Sequence, residues 1–352
     1  MRSAFDLTFD ELVALRPPND ARYLYRKLFN FSDWAEGRPV VGKESTVFLS
    51  EHFDFALPEI TEVRRSEDGS SKLLLRLADG NVIEAVHMPR AVKNPRVTLC
   101  LSSQVGCAMG CTFCHTATMG LVRNLTASEI VGQVLAILRA LGPIDSGRVT
   151  LVFMGMGEPL HNVEAVLRAV AIMSEEAGLR ISPQRITVST SGLVPGIERM
   201  ASAPVRPCLA ISVNATTDEA RARTMPVAKK YSLQDLTTAV KRLTLRPHEK
   251  VTFEYVLLRG ENDTVEDAER LAEIVRPFRH NLNVIPYNVY EGALFAAPEE
   301  DALQLFVKRL QDRGCLVTVR RSRGRDVAAA CGQLVQEATV RAPRRGLRNL
   351  SA

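Results

Sequence analysis

The stretch CLSSQVGCAMGCTFCHTATMG, residues 100–120, carries four of the chain's seven cysteines. Cys107, Cys111 and Cys114 stand in a C-x3-C-x2-C spacing, with Cys100 seven residues upstream. Thiols this close can share a metal centre, and three chemistries compete. A structural zinc site would take His115 as its fourth ligand, but such sites are usually built from two ligand pairs and no second CxxC follows. Ordinary buried thiols explain isolated cysteines better than three on one short loop. A four-iron cubane held by three thiolates would leave one iron open, ready to bind and reduce a small cofactor. The odd total argues against a framework made of disulfides alone.

The segments that must position these thiols follow a regular rhythm. RVTLCLS, RVTLVFMGMG, RITVSTSG, CLAISVNA, KVTFEYVLL and LNVIPYN read as strands, each followed by a helical pattern. The first long helix, TASEIVGQVLAILRAL, opens with a capping box of Thr126 and Glu129. Six β-then-α units predict an α/β fold, a parallel sheet wound right-handedly into a partial (β/α)6 barrel. Ligands in such folds bind at the C-terminal strand ends, where the cysteine loop falls. Ahead of the barrel, LTFDELVAL and ARYLYRKLFNFSDW read as helices parted by Pro17 and Pro18. From about residue 40 to 90 the pattern turns to strands, with turns at Asp68-Gly69 and Asp79-Gly80. The expected organisation is a small α+β accessory domain over 1–95, a barrel domain over 96–335 and a basic tail over 336–352.

With 352 residues, 46% hydrophobic and 24% charged, the chain suits a large globular domain plus a smaller one. No apolar run reaches membrane-spanning length. The opening MRSAFDLTFDELVAL carries acids where a secretory signal needs an apolar core. A soluble cytoplasmic protein with reduced thiols is therefore expected. The net charge of +5 is unevenly spread: from Arg320 to Ala352, eight arginines face only Asp326 and Glu337. Dense arginine suits phosphate recognition, and a solvated tail is the plainer reading.

The cysteine loop, with Phe113 between its second and third cysteines, resembles that of the radical S-adenosylmethionine (SAM) enzymes. A narrower resemblance is to the RlmN/Cfr branch, which methylates RNA adenines. CLSSQVGCAMGCTFCHTATMGLVRNLTASEI, FMGMGEPL (153–160), ITVSTSGLVP (186–195), LAISVNA (209–215), NVIPYN (283–288) and AAACGQL (328–334) carry it, in order, over about residues 75–335. The resemblance implies a [4Fe-4S] cluster on Cys107, Cys111 and Cys114, with S-adenosyl-L-methionine consumed twice per turnover. Gly157, Glu158, Ser189, Ser212, Val213, Asn214 and Asn288, at strand ends, are then the SAM contacts.

In that branch the cysteine of the CGQL element, here Cys331, is methylated by one SAM and delivers a methylene carbon to the base. The second SAM supplies the radical, because an electron-poor carbon such as adenine C2 does not attack a methyl donor. A second thiol, here Cys100, releases the product by a transient disulfide with Cys331. Glu84 aligns with the carboxylate that accepts the displaced proton in C2-methylating members. The implied target is an unpaired or flipped adenosine in the peptidyl-transferase loop of 23S rRNA, and in some members of tRNA. Methylation at C8 is the alternative within the branch, and a zinc-stabilised RNA-binding protein the alternative outside it. The implied partners are RNA and a flavodoxin-type electron donor, with no membrane and a monomeric chain.

Overall fold

The six strands read from the sequence run side by side in one ten-stranded sheet. The computed structural model describes residues 1–30, 34, 35, 38–90, 96–141 and 148–335, so the basic tail expected after 335 lies outside the described residues. The sheet keeps chain order: β1 Glu59–Arg65, β2 Ser71–Arg76, β3 Val82–Arg90, β4 Arg96–Cys100, β5 Val149–Phe153, β6 Ile186–Thr190, β7 Cys208–Ser212, β8 Val251–Leu257, β9 His280–Pro286 and β10 Val317–Val319. From β4 to β10 all pairings are parallel. The short β10 was not legible as a strand, since three residues carry no period.

Strands β5, β6 and β8 are rich in Val, Ile and Thr, and no residue of β5 to β8 is exposed, as expected where helices cover one face and a barrel core the other. The helices α4 Ala127–Leu141, α5 Val163–Ser174, α6 Val194–Ala201, α7 Asp218–Thr224, α8 Leu233–Lys241, α9 Val265–Val275 and α10 Glu300–Asp312 supply the crossovers. The expected box opens α4: Thr126 N donates to Glu129 at 2.9 Å, and Glu129 N to Thr126 Oγ1 at 3.2 Å. The stripe Ile130, Val131, Val134 and Ile137 is then fully buried.

Before the sheet come α1 Phe9–Leu15 and α2 Pro18–Phe29, with Pro18 at the first helical position where its missing N–H costs nothing. Residues 43–52 correct the sequence reading. They form a helix, α3 Lys43–His52, and the ten-stranded sheet begins only at Glu59. KESTVFLSEH has no alternation, and it seats Leu49 in the core with Phe48 packed beside it.

Antiparallel β1–β3 join the parallel strands directly. Strand β3 pairs with β4, with Val86 opposite Cys100 and Arg90 opposite Arg96. Alternation then puts Glu84, Val86, Met88 and Arg90 on the face that bears Thr98 and Cys100. Beyond β10, residues 320–335 cross back as a strap over the barrel mouth to this hairpin sheet. Asp326 accepts from Ser66 Oγ at 2.6 Å, Gly324 N donates to Asp68 at 2.9 Å, and Val335 N donates to Glu84 at 3.1 Å.

Candidate active site

The cysteine loop leaves β4 and is clasped at its base by a two-stranded ribbon, Gln104–Gly106 against Leu121–Asn124. Cys107 N donates to Gly120 O at 2.8 Å. Gly106 has φ +74°, and a Cβ there would lie 1.9 Å from Gly120 O, so only glycine closes the ribbon. Three further bonds aim the loop inward: Thr112 N to Thr224 O (3.0 Å), His115 N to Gly332 O (2.8 Å) and Thr116 Oγ1 to Leu334 O (2.6 Å). The last two tie it to the strap.

Cys107, Cys111 and Cys114 line one cavity of about 160 Å³ together with Gly157, Glu158, Ser189, Ser212, Asn214, Asn288 and Cys331. Of the expected SAM contacts, only Val213 is absent from its wall; it is buried, and its carbonyl accepts from Arg221 Nε at 3.0 Å. Gly157 has φ +101°, and a Cβ would meet Gln104 at 2.6 Å, so the backbone bares itself to the cavity. The Glu158 carboxylate is held by Leu160 N (3.0 Å) and by Ser191 N and Oγ (both 2.8 Å), while burial pushes its pKa up. Asn214 takes φ +54°, a region Asn tolerates, and its Oδ1 accepts from Val256 N at 2.8 Å. Asn288 Nδ2 donates to Cys331 O at 3.1 Å and to Ser322 Oγ at 2.9 Å, which fixes the backbone of Cys331.

Cys331 also lines a second cavity of about 240 Å³, along with Cys100, and the two cavities share Met154, Cys331 and Leu334. Burial pushes the Cys100 thiol up to about 12. Glu84 lines neither cavity. It forms an ion pair with Lys72 Nζ at 2.9 Å, with both side chains almost wholly buried, and burial raises its pKa. Lys72 Nζ also donates to Ala328 O at 3.3 Å, so the pair binds the strap at two points.

The donor set can be tested against the group that the cysteine spacing implies. Among the described residues, no three His, Cys, Asp or Glu side chains converge closely enough to share one metal ion. A cubane makes no such demand, since each thiolate takes its own iron. His115 lies outside the cavity wall and stacks on Tyr290 at 4.3 Å, which removes the zinc reading's fourth ligand. Burial raises all three thiols, Cys107 to about 12, so they ionise only beside a cation such as iron. Arg221 supplies a complementary feature. It is fully buried, it donates to the carbonyls of Ser191 (2.5 Å) and Val213, and its Nη1 has no partner. A guanidinium without an acid partner, its charge acting on Cys111, suits an anionic thiolate-bound cluster. The residues fit the group.

Sequence reasoning missed Met154, Ser191, Glu254, Arg320 and Arg221. Arg320 pairs with Glu254 at 2.8 Å, and Ser189 donates to the same carboxylate at 3.1 Å. Only the run of strand-end positions hinted at Ser191 and Glu254; the arginines' roles depend on tertiary contacts.

Residues 101–273 match the Radical SAM superfamily. The chain is 47% identical over 286 residues to the dual-specificity RNA methyltransferase RlmN of Syntrophotalea carbinolica, covering 81% of this chain and 74% of that one. It is 40% identical to the protein of the same name from Nitratiruptor sp., covering 96% and 98%. Among solved structures it is similar to a radical SAM methyltransferase from Sphaerobacter thermophilus, with TM-score 0.84 and 39% identity over 95% of this chain and 99% of that one. Among the described residues, no helix is long and apolar enough to cross a membrane.

Proposed function

The chain belongs to the RlmN family of radical SAM methyltransferases, and from that premise we propose that it methylates C2 of an unpaired adenosine in RNA, with 23S rRNA and tRNA as substrates. The observation that carries this reading is that Cys331 lies at the junction of the cavity of the clustered cysteines and the cavity of Cys100.

In this reading Cys107, Cys111 and Cys114 hold a [4Fe-4S] cluster, and Gly157, Glu158, Ser189, Ser212, Val213, Asn214 and Asn288 form the SAM site. When bound, cluster and SAM supply the carbon radical that polar chemistry cannot. Cys331 carries the methyl group as a thioether and presents it between the cavities, steadied by Asn288. Cys100 takes the Cys331 sulfur into a disulfide as the methylated base departs. Its raised pKa keeps it a protonated, unreactive thiol for most of the cycle. Glu84 accepts the proton displaced from C2. Because its carboxylate is held by Lys72 and Val335 N, that transfer requires the strap to shift. Residues 1–95 help to dock the RNA, a flavodoxin-type donor reduces the cluster, and the protein works as a cytoplasmic monomer.

The test is anaerobic methylation of rRNA and tRNA fragments by the cluster-loaded protein, read by mass spectrometry of the nucleosides. Formation of 2-methyladenosine is expected. An adenosine pool without any methylated product overturns the reading.

A further inference from the structure

The second cavity has a charge pattern that the chemistry above does not use. Its wall contains Arg90, Arg320, Arg321 and Arg323 and no carboxylate. Three of these are neutralised by neighbours. Arg320 pairs with Glu254 (2.8 Å), Arg321 grips both oxygens of Glu300 (2.7 and 2.8 Å), and Arg323 donates to the carbonyls of Pro89 and Asp68. Arg90 has no acid partner among the described residues. It stands directly opposite Arg96, equally exposed and equally unpaired, in the β3–β4 register. Like charges facing each other across antiparallel strands destabilise a sheet. Such a pair, with Arg90 in the cavity wall and Arg96 across the strands from it, is a standing site for an anion that bridges both guanidiniums. The rest of the lining includes the apolar Val86, Met88, Met154 and Leu334 and both thiols, Cys100 and Cys331. A cationic, anion-binding site beside an apolar, thiol-bearing wall fits a nucleotide whose base points inward and whose backbone stays outside.

We propose that this cavity seats the target nucleotide, and that Arg90 and Arg96 hold its flanking backbone phosphates. The proposal rests on the RNA reading and adds where the strand lies: along the β3–β4 hairpin, across the strap from the cysteine loop. Arg320 stays with Glu254 and walls the nucleotide off from the SAM cavity.

The experiment measures binding of a fluorescein-labelled RNA hairpin carrying an unpaired adenosine, by anisotropy over a series of salt concentrations. For single strands, log K against log salt loses roughly 0.7 of slope per phosphate contact removed. Arg90→Glu and Arg96→Glu should each flatten the slope by about that amount, and the double variant by about twice it. Arg90→Lys with Arg96→Lys should keep the slope. Arg276→Glu, at the residue that follows α9 and pairs with Glu273, should also keep it. Arg90→Glu creates opposite charges across the hairpin, so its melting temperature should not fall and lost binding cannot be ascribed to unfolding. An unchanged slope in the double variant overturns the proposal, as does an equal loss in Arg276→Glu. A wild-type protein that does not bind the hairpin at all sinks the RNA reading itself, a result distinguishable from both.

Discussion

The two cavities at the barrel mouth touch through Met154, Cys331 and Leu334, yet their walls are opposites. One is lined by Glu158 and Glu254 and by no cation; the other by four arginines and no acid. The first lies among parallel strand ends and the second against the antiparallel hairpin. In the proposed reading a small cationic cofactor and a polyanionic substrate are thus sorted before either reaches Cys331. The Arg320–Glu254 pair, with one member in each wall, is the partition. The charges of Cys331, foremost, and of Glu254 raise the pKa of Arg320 against the burial that would lower it, so the partition stays charged.

The comparison breaks most completely at its junction. Cys331→Ala should abolish RNA methylation, read as methylated nucleoside, while iron and sulfide per chain stay unchanged, because the residue is no ligand. Cys100→Ala removes the thiol that lines the second cavity alone. It should hold the protein below one turnover and leave RNA attached to it on a denaturing gel. Glu84→Gln tests the hairpin side. Breaking one half of a buried ion pair costs about 3–5 kcal/mol, so chemical denaturation should show a loss of that order. Lys72→Met combined with Glu84→Leu should recover most of it, which separates stability from proton transfer. The smallest effect sharpens the contrast between the thiols. With Cys100 pushed up to about 12, its thiolate fraction grows roughly tenfold per pH unit below that value. Resolution of the adduct in a single turnover should therefore rise with pH with a log slope near one; a flat profile would remove Cys100 as the attacking thiol.

Much of the first cavity was legible in the sequence, because it is built from strand ends that the βα rhythm brings into register and from cysteines whose spacing is local. The second cavity was not. Its walls depend on which residues of β3 oppose β4, and nothing in VIEAVHMPR says that Arg90 will face Arg96. The Lys72–Glu84 pair is diagonal across β2 and β3, with Lys72 opposite Val86 and Glu84 opposite Leu74, and only the register shows it. The basic run after Arg320 drew attention to phosphate recognition, but Arg320, Arg321 and Arg323 are occupied by acids or carbonyls, and the facing pair Arg90 and Arg96 sits far earlier in the chain. The helix at 43–52 was missed because a short segment with one buried leucine has no period to read.

The strap also sets an order of assembly. Asp326 closes on Ser66 across 260 positions of chain, and contacts that distant form late because the intervening loop must first be closed. The barrel strands can therefore be in place while the roof is still open, with the cysteine loop still lacking its bonds to Gly332 and Leu334. In the cluster reading that interval would give iron and sulfide their way in, and docking of the strap afterwards would make the roof a kinetic seal against their loss. Hydrogen exchange reads this directly: the amides of Gly324 and Val335 should exchange well before those of β5 to β8, and loading the cluster should slow them.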